Sequence, residues 1–190
     1  MALTRERLRV YLVLDLARAS GRAADLVRRS VAAGVTCIQL RDKRGSQSEV
    51  ERVAGATRGL LRRASVPLIV NDRLDVALAV DADGVHVGQT DEPVSLLCQR
   101  ATLAGYPGFP VGVSVTTVDE AVRALRREFI DTPIVAIGGV SAGNASRIVE
   151  AGADGVAFVS AVTDSVDPVA QIRAIAAAVN EGLSRREYRQ

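Results

Sequence analysis

Short apolar runs alternate along the chain with longer stretches in which apolar residues recur at helical spacing. The apolar runs are rich in Val and Ile and nearly continuous, which is typical of strands buried on both faces of a parallel sheet. They predict strands at residues 10–14, 35–40, 67–70, 84–87, 110–113, 133–137 and 155–159. The other stretches predict helices at 21–33, 48–64, 74–80, 93–104, 117–129, 142–151 and 168–183. Strict alternation predicts an α/β protein whose parallel strands are joined by right-handed crossovers.

A weak internal repeat indicates how these units are arranged. Segments 33–38, 82–85 and 151–156 are alike, and Gly34 and Gly152 suit the left-handed position that ends a helix. Repeated βα units favour a TIM (β/α)₈-type barrel over an open sheet with one switch point. The sequence supplies seven units where such a barrel needs eight. We therefore expect one TIM-barrel-type domain over residues 1–190, with one βα unit missing.

Composition excludes several classes of protein. Of the 190 residues, 48% are hydrophobic and 24% are charged, as in ordinary globular domains. A formal net charge of +2 and an aromatic content of 3% give no basis for a nucleic-acid surface. No apolar run reaches the roughly 18 residues that span a membrane, and residues 1–9 lack the apolar core of a secretion signal. We expect a cytoplasmic protein without nucleic-acid or membrane partners, and its assembly into a homo-oligomer stays open.

The cysteines and the single histidine carry little chemical signal. Cys37 lies in a strand-like run and Cys98 in a helix-like run, so we expect both as buried free thiols rather than a disulfide. Together with His86 they cannot form a tetrahedral zinc site without carboxylates. His86 itself is expected as a packed or surface side chain rather than a catalytic base.

A group of basic and polar side chains follows the second predicted strand. Because strand side chains alternate between faces, Gln39, Arg41 and Lys43 can point the same way. An amide, a guanidinium and an ammonium group together form a clamp for an anion such as a phosphate. The alternative is a strand that frays into a solvated basic loop.

Acidic residues follow the next two predicted strands. Asn71 and Asp72 come directly after the third strand, and Asp91 follows the fourth. Either these residues cap the helices that come next, or the carboxylates are Mg²⁺ ligands and Asn71 binds a phosphate or ring. Two Asp residues at neighbouring strand ends, facing a basic clamp, fit a site for a metal-bound diphosphate.

Three later strand ends offer groups for a phosphate. Ser114 follows the fifth strand, where its hydroxyl either bonds to a turn or donates to a phosphate. Gly139 follows the sixth predicted strand, and Val159 and Ser160 lie at the end of the seventh, where barrels often bind phosphate through backbone N–H groups. The alternative there is two tight turns, with Ser160 as a helix cap. Since barrel active sites lie at strand carboxyl ends, the whole set predicts a diphosphate subsite and a monophosphate subsite.

These motifs together resemble the thiamine phosphate synthase (thiamine phosphate pyrophosphorylase) family over nearly the whole chain. The matching segments are 11–13, Gln-Leu-Arg-Asp-Lys at 39–43, Asn-Asp-Arg at 71–73, 83–89 with Asp91, 112–114, 136–139 and 153–161. The resemblance implies a transferase with small-molecule substrates that joins hydroxymethylpyrimidine diphosphate to thiazole phosphate and releases pyrophosphate, with Mg²⁺ as cofactor. It also implies a dissociative mechanism, in which pyrophosphate leaves first and the thiazole nitrogen captures a pyrimidine carbocation.

The resemblance implies a role for each candidate residue. It implies that the pyrimidine diphosphate is held by Gln39, Arg41, Lys43, Asn71 and Ser114, with Arg41, Lys43 and Ser114 as the catalytic groups. Asp72 and Asp91 are implied as Mg²⁺ ligands. The thiazole phosphate is implied to bind at Gly139, Val159 and Ser160.

One part of the family pattern is absent. Family members have a sixth strand and a loop that reads like Gly-Pro-x-Phe-x-Thr-x-Thr-Lys, whereas here 124–129 passes directly to 131–133. Either the protein is a shortened member, or this sequence lacks residues of the full chain. A thiazole tautomerase-like enzyme and a non-catalytic binder of phosphorylated thiamine precursors stay open as alternatives. A phosphosugar isomerase is disfavoured, because no convincing Glu or His base follows a strand.

Overall fold

The computed structural model describes residues 3–19, 21–88, 94–113 and 133–188. Within these ranges the strands are β1 (Val10–Asp15), β2 (Cys37–Arg41), β3 (Leu68–Asn71), β4 (Gly84–Val87), β5 (Val111–Val113), β6 (Val135–Ile137) and β7 (Gly155–Phe158). The helices are α1 (Leu16–Ala19), α2 (Ala23–Ala32), α3 (Gln47–Ala64), α4 (Leu74–Ala79), α5 (Val94–Leu103), α6 (Ala145–Glu150), α7 (Ser160–Thr163) and α8 (Pro168–Tyr188). A 3₁₀ turn at Glu6–Leu8 precedes β1.

All seven predicted strands are confirmed, and the predicted helices of the described ranges form with ends that shift by a few residues. The helix predicted at 117–129 lies outside the described residues. Helices α1 and α7 were not predicted, because a four-residue helix is too short to show a helical period in the sequence.

The strands form one parallel sheet in the order β5-β4-β3-β2-β1-β7-β6, so the first strand pairs with the last described one. A cavity of about 330 Å³ on the inner face is lined by residues of both edge strands, including Val111 of β5 and Val135 of β6. On a flat sheet these two strands would be about 29 Å apart, at roughly 4.8 Å per strand. The sheet is therefore curled, with its edges turned toward each other. Within the described residues β5 and β6 do not pair.

Alternating side chains divide the core into two apolar clusters. The larger cluster packs the outer face of the sheet against the helices and includes Leu12, Leu14 and Leu40. The smaller cluster lies on the inner face and includes Tyr11 and Cys37. Side chains at inward positions therefore lie inside the curled sheet, and those at the last inward position of each strand lie at its carboxyl edge.

The internal repeat corresponds to a hydrogen-bonded contact between the amino ends of neighbouring strands. The side chains of Thr36, Asp83 and Asp154 accept hydrogen bonds from the N–H groups of Val10, Leu68 and Ile134, at 3.0, 2.9 and 2.9 Å. The backbone N–H groups of Thr36, Asp83 and Asp154 donate in turn to the carbonyl oxygens of Val10, Leu68 and Ile134. The repeat thus fixes the register of three strand pairs at the edge opposite to the predicted site.

Backbone conformation explains the glycines of this repeat. Gly34 and Gly152 follow α2 and α6 with φ of 108° and 120°, so the predicted positive φ is confirmed, and Asp81 occupies the same position after α4 with φ of 53°. Glycine is needed at position 155 for a different reason, which is that a Cβ there would overlap the carbonyl oxygen of Leu8.

The prediction of two buried cysteines is wrong for Cys98. Both residues are free thiols, but Cys37 is buried on the inner face and Cys98 is exposed. Helix α5 buries Leu97 and Ala101, which lie one turn apart, and Cys98 is rotated about 100° from Leu97. Burial raises the pKa of the Cys37 thiol well above its ordinary value.

In the described parts of the chain, no helix is both long enough and apolar enough to cross a membrane.

Removal of the Asp83 carboxylate should destabilise the fold strongly. Asp83 is 3% exposed and accepts hydrogen bonds from Arg58, itself 8% exposed, at 2.7 and 3.3 Å. Asp83→Ala leaves a buried guanidinium without its closest anion, so the free energy of unfolding should fall by about 3–5 kcal/mol. Urea denaturation measures this. The exposed Asp75 pairs with Arg100 at 2.7 Å, and Asp75→Ala should cost less than about 1 kcal/mol. Equal losses for the two variants would contradict the assignment.

Candidate active site

A cavity of about 450 Å³ opens at the carboxyl ends of the strands. Because the strands are parallel, side chains that follow different strands meet there. The predicted site residues that line it are Gln39, Arg41, Lys43, Asn71, Asp72, Val159 and Ser160. Residues that were expected to hold two different phosphate groups thus share one cavity.

The other three predicted site residues are Ser114, Asp91 and Gly139. Ser114 and Asp91 lie outside the described residues, so their roles stay predictions. Gly139 is exposed in the turn after β6, with φ of 61°, and its carbonyl oxygen accepts a hydrogen bond from Asn144 Nδ2 at 2.9 Å. It is not among the residues that line the cavity, although Ile137 at the end of β6 is.

The basic clamp extends from the buried interior to the surface. Gln39 is 3% exposed, and its Nε2 donates to the hydroxyl of Tyr11 at 3.0 Å. Burial raises the pKa of Tyr11 well above its ordinary value, so the phenol stays neutral. Arg41 ends β2 with its side chain about one-third exposed, and Lys43 is exposed in the turn beyond. The alternative of a frayed strand is therefore wrong for Gln39 and Arg41, while Lys43 does lie beyond the strand.

Asp15 is a cavity residue that the sequence analysis missed. It ends β1, is 8% exposed, and its Oδ2 accepts a hydrogen bond from Nη1 of Arg41. Its Oδ1 accepts from the N–H groups of Ala17 and Arg18 at 3.1 and 3.4 Å, at the start of α1. The signal was present in the sequence, since residues 11, 13 and 15 share one strand face and the inward position at the strand end is acidic.

The turn that carries Lys43 is held by its neighbours. Asp42 accepts hydrogen bonds from the N–H groups of Arg44 and Gly45 at 2.9 and 2.8 Å, and these lower the pKa of its carboxyl. Arg73 donates to the carbonyl oxygen of Gly45 at 2.7 Å and more weakly to that of Asp42 at 3.4 Å. The Arg of the Asn-Asp-Arg segment therefore supports the turn between β2 and α3.

Asp72 has an unusual backbone at the end of β3. Its φ is 63°, a left-handed conformation that Asp tolerates better than most residues, and its N–H donates to the carbonyl oxygen of His86 at 2.7 Å. The N-cap residue of α4 is Arg73, so neither Asn71 nor Asp72 caps that helix and the capping alternative is wrong for them. A strained backbone that presents a carboxylate to a cavity is typical of functional sites.

The donor set around Asp72 fits a magnesium site that depends on its substrate. Among the described residues no group of three or more His, Cys, Asp or Glu side chains is placed to hold a metal ion. Mg²⁺ in phosphate-transfer sites commonly takes only one or two carboxylates, and phosphate oxygens and waters complete its shell. A single Asp72 carboxylate beside Arg41 and Lys43 meets that requirement, since the cations can hold the phosphate that supplies the other ligands.

A second basic group lies near Ser160. Arg18 of α1 lines the cavity, and its Nη1 donates to both carboxylate oxygens of Asp164 at 2.8 Å. These hydrogen bonds lower the pKa of the Asp164 carboxyl. Counting the described charged side chains that line the cavity, Arg18, Arg41 and Lys43 outnumber Asp15 and Asp72. With Asp164 included, the described positive and negative side chains are equal in number, and Arg18 and Arg41 are each paired with an aspartate while still facing the cavity.

The floor of the cavity is formed by side chains from the inner face of the sheet. His86, Gln39 and Ile137 line both this cavity and the apolar one beneath it. His86 is half-buried, and a Cβ on Gly112 of the adjacent strand would lie 2.9 Å from its Nδ1. Gly112 therefore leaves room for the imidazole.

Comparison with known proteins gives one consistent result. The family model described as thiamine monophosphate synthase matches residues 10–131 and 122–162. A thiamine-phosphate synthase of Chloroflexus aurantiacus is 38% identical over 90% of this chain and 93% of its own length. One from Haloarcula marismortui is 36% identical over 91% of this chain and 97% of its own.

A solved structure agrees with these sequences. The thiamine phosphate pyrophosphorylase from Pyrococcus furiosus superposes with a TM-score of 0.77 at 30% identity, over 94% of this chain and 98% of the other. The resemblance drawn from the motifs is thereby confirmed, and with it the expectation of a transferase. The chain belongs to the thiamine monophosphate synthase family.

Proposed function

We propose that this chain condenses hydroxymethylpyrimidine diphosphate with thiazole phosphate in a Mg²⁺-dependent reaction that yields thiamine phosphate and pyrophosphate. The observation that carries the proposal is the single cavity at the strand carboxyl ends, which Arg41, Lys43 and Asp72 line together with Ser160. The N–H donors of Arg18, Arg41 and Lys43 in this cavity suit phosphorylated reactants. Relatives that cover most of the chain and carry the name thiamine-phosphate synthase support the same reaction.

The diphosphate subsite comprises Gln39, Arg41, Lys43 and Asn71, with Ser114 added by the resemblance. The carbon–oxygen bond between the pyrimidine methylene and the diphosphate breaks, and its electron pair leaves with pyrophosphate. Arg41 and Lys43 stabilise the charge that develops on this leaving group. Asp72 and Asp91 would hold Mg²⁺, which supplies further charge stabilisation on the diphosphate when it is bound. No protein nucleophile is needed.

The thiazole phosphate subsite lies on the same cavity. Val159 and Ser160 line it directly after β7, and the resemblance adds Gly139. The thiazole nitrogen then donates its lone pair to the pyrimidine methylene carbocation, which forms the new carbon–nitrogen bond. With both reactants in one cavity, the protein replaces a bimolecular encounter by a step between positioned groups.

We further propose that the fold is a TIM-type barrel that lacks one βα unit between β5 and β6. An alignment of 205 positions to the Chloroflexus relative covers 90% of 190 residues, about 171, which leaves about 34 positions without a residue of this chain. The family match is also divided into two parts, which overlap at residues 122–131. One βα unit of a barrel is about 30 residues.

Peptide mass mapping of the protein from its native source tests the shortened barrel. A tryptic peptide that spans residues 128–147 is expected, because these residues are continuous in the sequence. Peptides that place about 30 further residues between β5 and β6 would show that the unit is present in the full protein.

Among the described residues, the clamp and the acidic residue favour a synthase over the alternatives. A thiazole tautomerase-like enzyme has no use for a diphosphate site, whereas Arg41, Lys43 and Asp72 together form one. A non-catalytic binder would hold thiazole phosphate without turnover, which the assay below distinguishes.

The purified protein should release pyrophosphate when both substrates and Mg²⁺ are present, in equal amount to thiamine phosphate. A coupled pyrophosphate assay and chromatography of the product measure this, and EDTA should stop the reaction. Thiazole phosphate that binds in calorimetry without any pyrophosphate release would contradict the proposal and indicate a binder. Isomerisation of a thiazole precursor without product formation would indicate a tautomerase.

Asp72→Asn should lower kcat by about 100-fold or more, because the variant loses a carboxylate ligand for Mg²⁺. Asn tolerates the φ of 63° at this position, so thermal unfolding should stay unchanged. The matched control is Asp75→Asn, three residues away on the exposed face of α4, which should retain full activity. Full activity of Asp72→Asn at low Mg²⁺ would exclude Asp72 as a ligand.

Ser160→Ala should raise KM for thiazole phosphate about tenfold, the value of roughly one hydrogen bond to a charged group. KM for the pyrimidine diphosphate should stay the same, because that substrate is assigned to Arg41 and Lys43 and not to Ser160. Ser165→Ala, outside the cavity lining, serves as control. An equal rise of both KM values would argue against a separate thiazole phosphate subsite.

A further inference from the structure

We propose that Asp15 is a positioning residue that holds the Arg41 guanidinium in the orientation that grips the diphosphate. The inference rests on the proposed function and extends it, since Asp15 lies outside the motif segments that resemble the family. It assigns a role to an acidic side chain in a cavity that binds anions, where a negative charge is otherwise unfavourable.

The position of Asp15 follows from the register of the sheet. Asp15 and Arg41 are directly paired across β1 and β2, at the last paired position of both strands. Neighbouring residues at one register position point to the same face, so both side chains emerge inward at the carboxyl edge. Both line the cavity, and Nη1 of Arg41 donates to Oδ2 of Asp15.

The two oxygens of Asp15 have separate partners. Oδ1 accepts hydrogen bonds from the N–H groups of Ala17 and Arg18, which begin α1. Oδ2 accepts from Arg41. The carboxylate is therefore itself held by the backbone of the next element, and its side chain is only 12% exposed. A fixed anion of this kind can orient a mobile cation.

Orientation matters because an arginine side chain loses considerable rotamer freedom when it binds a ligand. The guanidinium has five N–H donors, and the contact with Asp15 engages one of its nitrogens. The other edge of the planar group can still donate to phosphate oxygens in a bidentate manner. An Arg41 that is already oriented pays less conformational entropy when the diphosphate arrives.

A purely electrostatic effect of Asp15 has the opposite sign. A carboxylate beside the diphosphate repels it, so neutralisation of Asp15 would strengthen anion binding if charge alone mattered. A positioning role predicts weaker binding after the same change. The direction of the change in affinity therefore discriminates between the two.

Asp15→Asn separates the two partners of the side chain. The amide oxygen of Asn can take the place of Oδ1 as the acceptor for α1, and Asn is a favourable residue at a helix start. The amide nitrogen then faces Arg41 and cannot accept its hydrogen bond. The matched control is Asp167→Asn, because Asp167 accepts from the N–H of Ala170 at 3.0 Å at the start of α8, away from the cavity.

Calorimetry with Mg²⁺ and inorganic pyrophosphate should show about tenfold weaker binding for Asp15→Asn, or about 1.4 kcal/mol, and no change for Asp167→Asn. In steady-state assays KM for the pyrimidine diphosphate should rise about tenfold while KM for thiazole phosphate stays the same. A general loss of structure would raise both. Unchanged or tighter pyrophosphate binding by a folded Asp15→Asn variant would overturn the proposal.

A double-mutant cycle tests whether Asp15 acts through Arg41. In an Arg41→Gln background, Asp15→Asn should cause no further loss of pyrophosphate affinity. The same tenfold loss in both backgrounds would overturn the positioning role. If Asp15→Asn does not fold, Asp15→Ser repeats the cycle, since its hydroxyl can cap α1 and carries no charge for Arg41.

The proposed function and the role of Asp15 are refuted by different results. Wild-type protein that neither binds Mg²⁺ with pyrophosphate nor forms thiamine phosphate would refute the synthase reaction itself. Wild-type protein that does both, together with an Asp15→Asn variant of equal pyrophosphate affinity, would refute only the role of Asp15.

Discussion

The described strands all run in the same direction, so their carboxyl ends meet at one edge of the curled sheet, and every group of the candidate site depends on this. Asp15, Arg41 and Asp72 come from three different βα units and share one cavity. Parallel pairing also determines the face of the sheet on which each side chain lies, because side chains of residues paired in register on adjacent strands point to the same face. A strand shifted by one residue would turn its site residues toward the helices.

The two edges of the sheet use aspartate for opposite purposes. At the amino edge Asp83 and Asp154 accept hydrogen bonds from backbone N–H groups of the neighbouring strand segment, and they pair with the buried Arg58 and the partly buried Arg186. At the carboxyl edge Asp15 and Asp72 line a cavity, and the roles proposed for them concern a ligand or a ligand-binding group. The same residue type joins strands at one edge of the sheet and lines the candidate site at the other.

Within the part of the chain that the structure describes, the cationic side chains of the cavity differ in whether they have an acidic partner. Arg41 and Arg18 each have an acidic partner, Asp15 and Asp164, whereas the exposed Lys43 extends from a supported turn. Paired arginines keep their geometry and retain donors for an anion. Fixed dipoles and charges of this kind stabilise a leaving group without reorganisation at the moment of reaction.

The local pattern of the sequence determined the strands, most helices and the candidate residues, since burial on both faces leaves continuous Val and Ile runs and strand ends carry the polar residues. Alternation placed Gln39 and Arg41 on the same face correctly. Only the tertiary structure decided which strand ends meet, that Arg73 rather than Asn71 or Asp72 is the N-cap of α4, and that Asp15 contacts Arg41. These depend on register and curvature, which arise from contacts between residues far apart in the chain and leave no periodic signal within it.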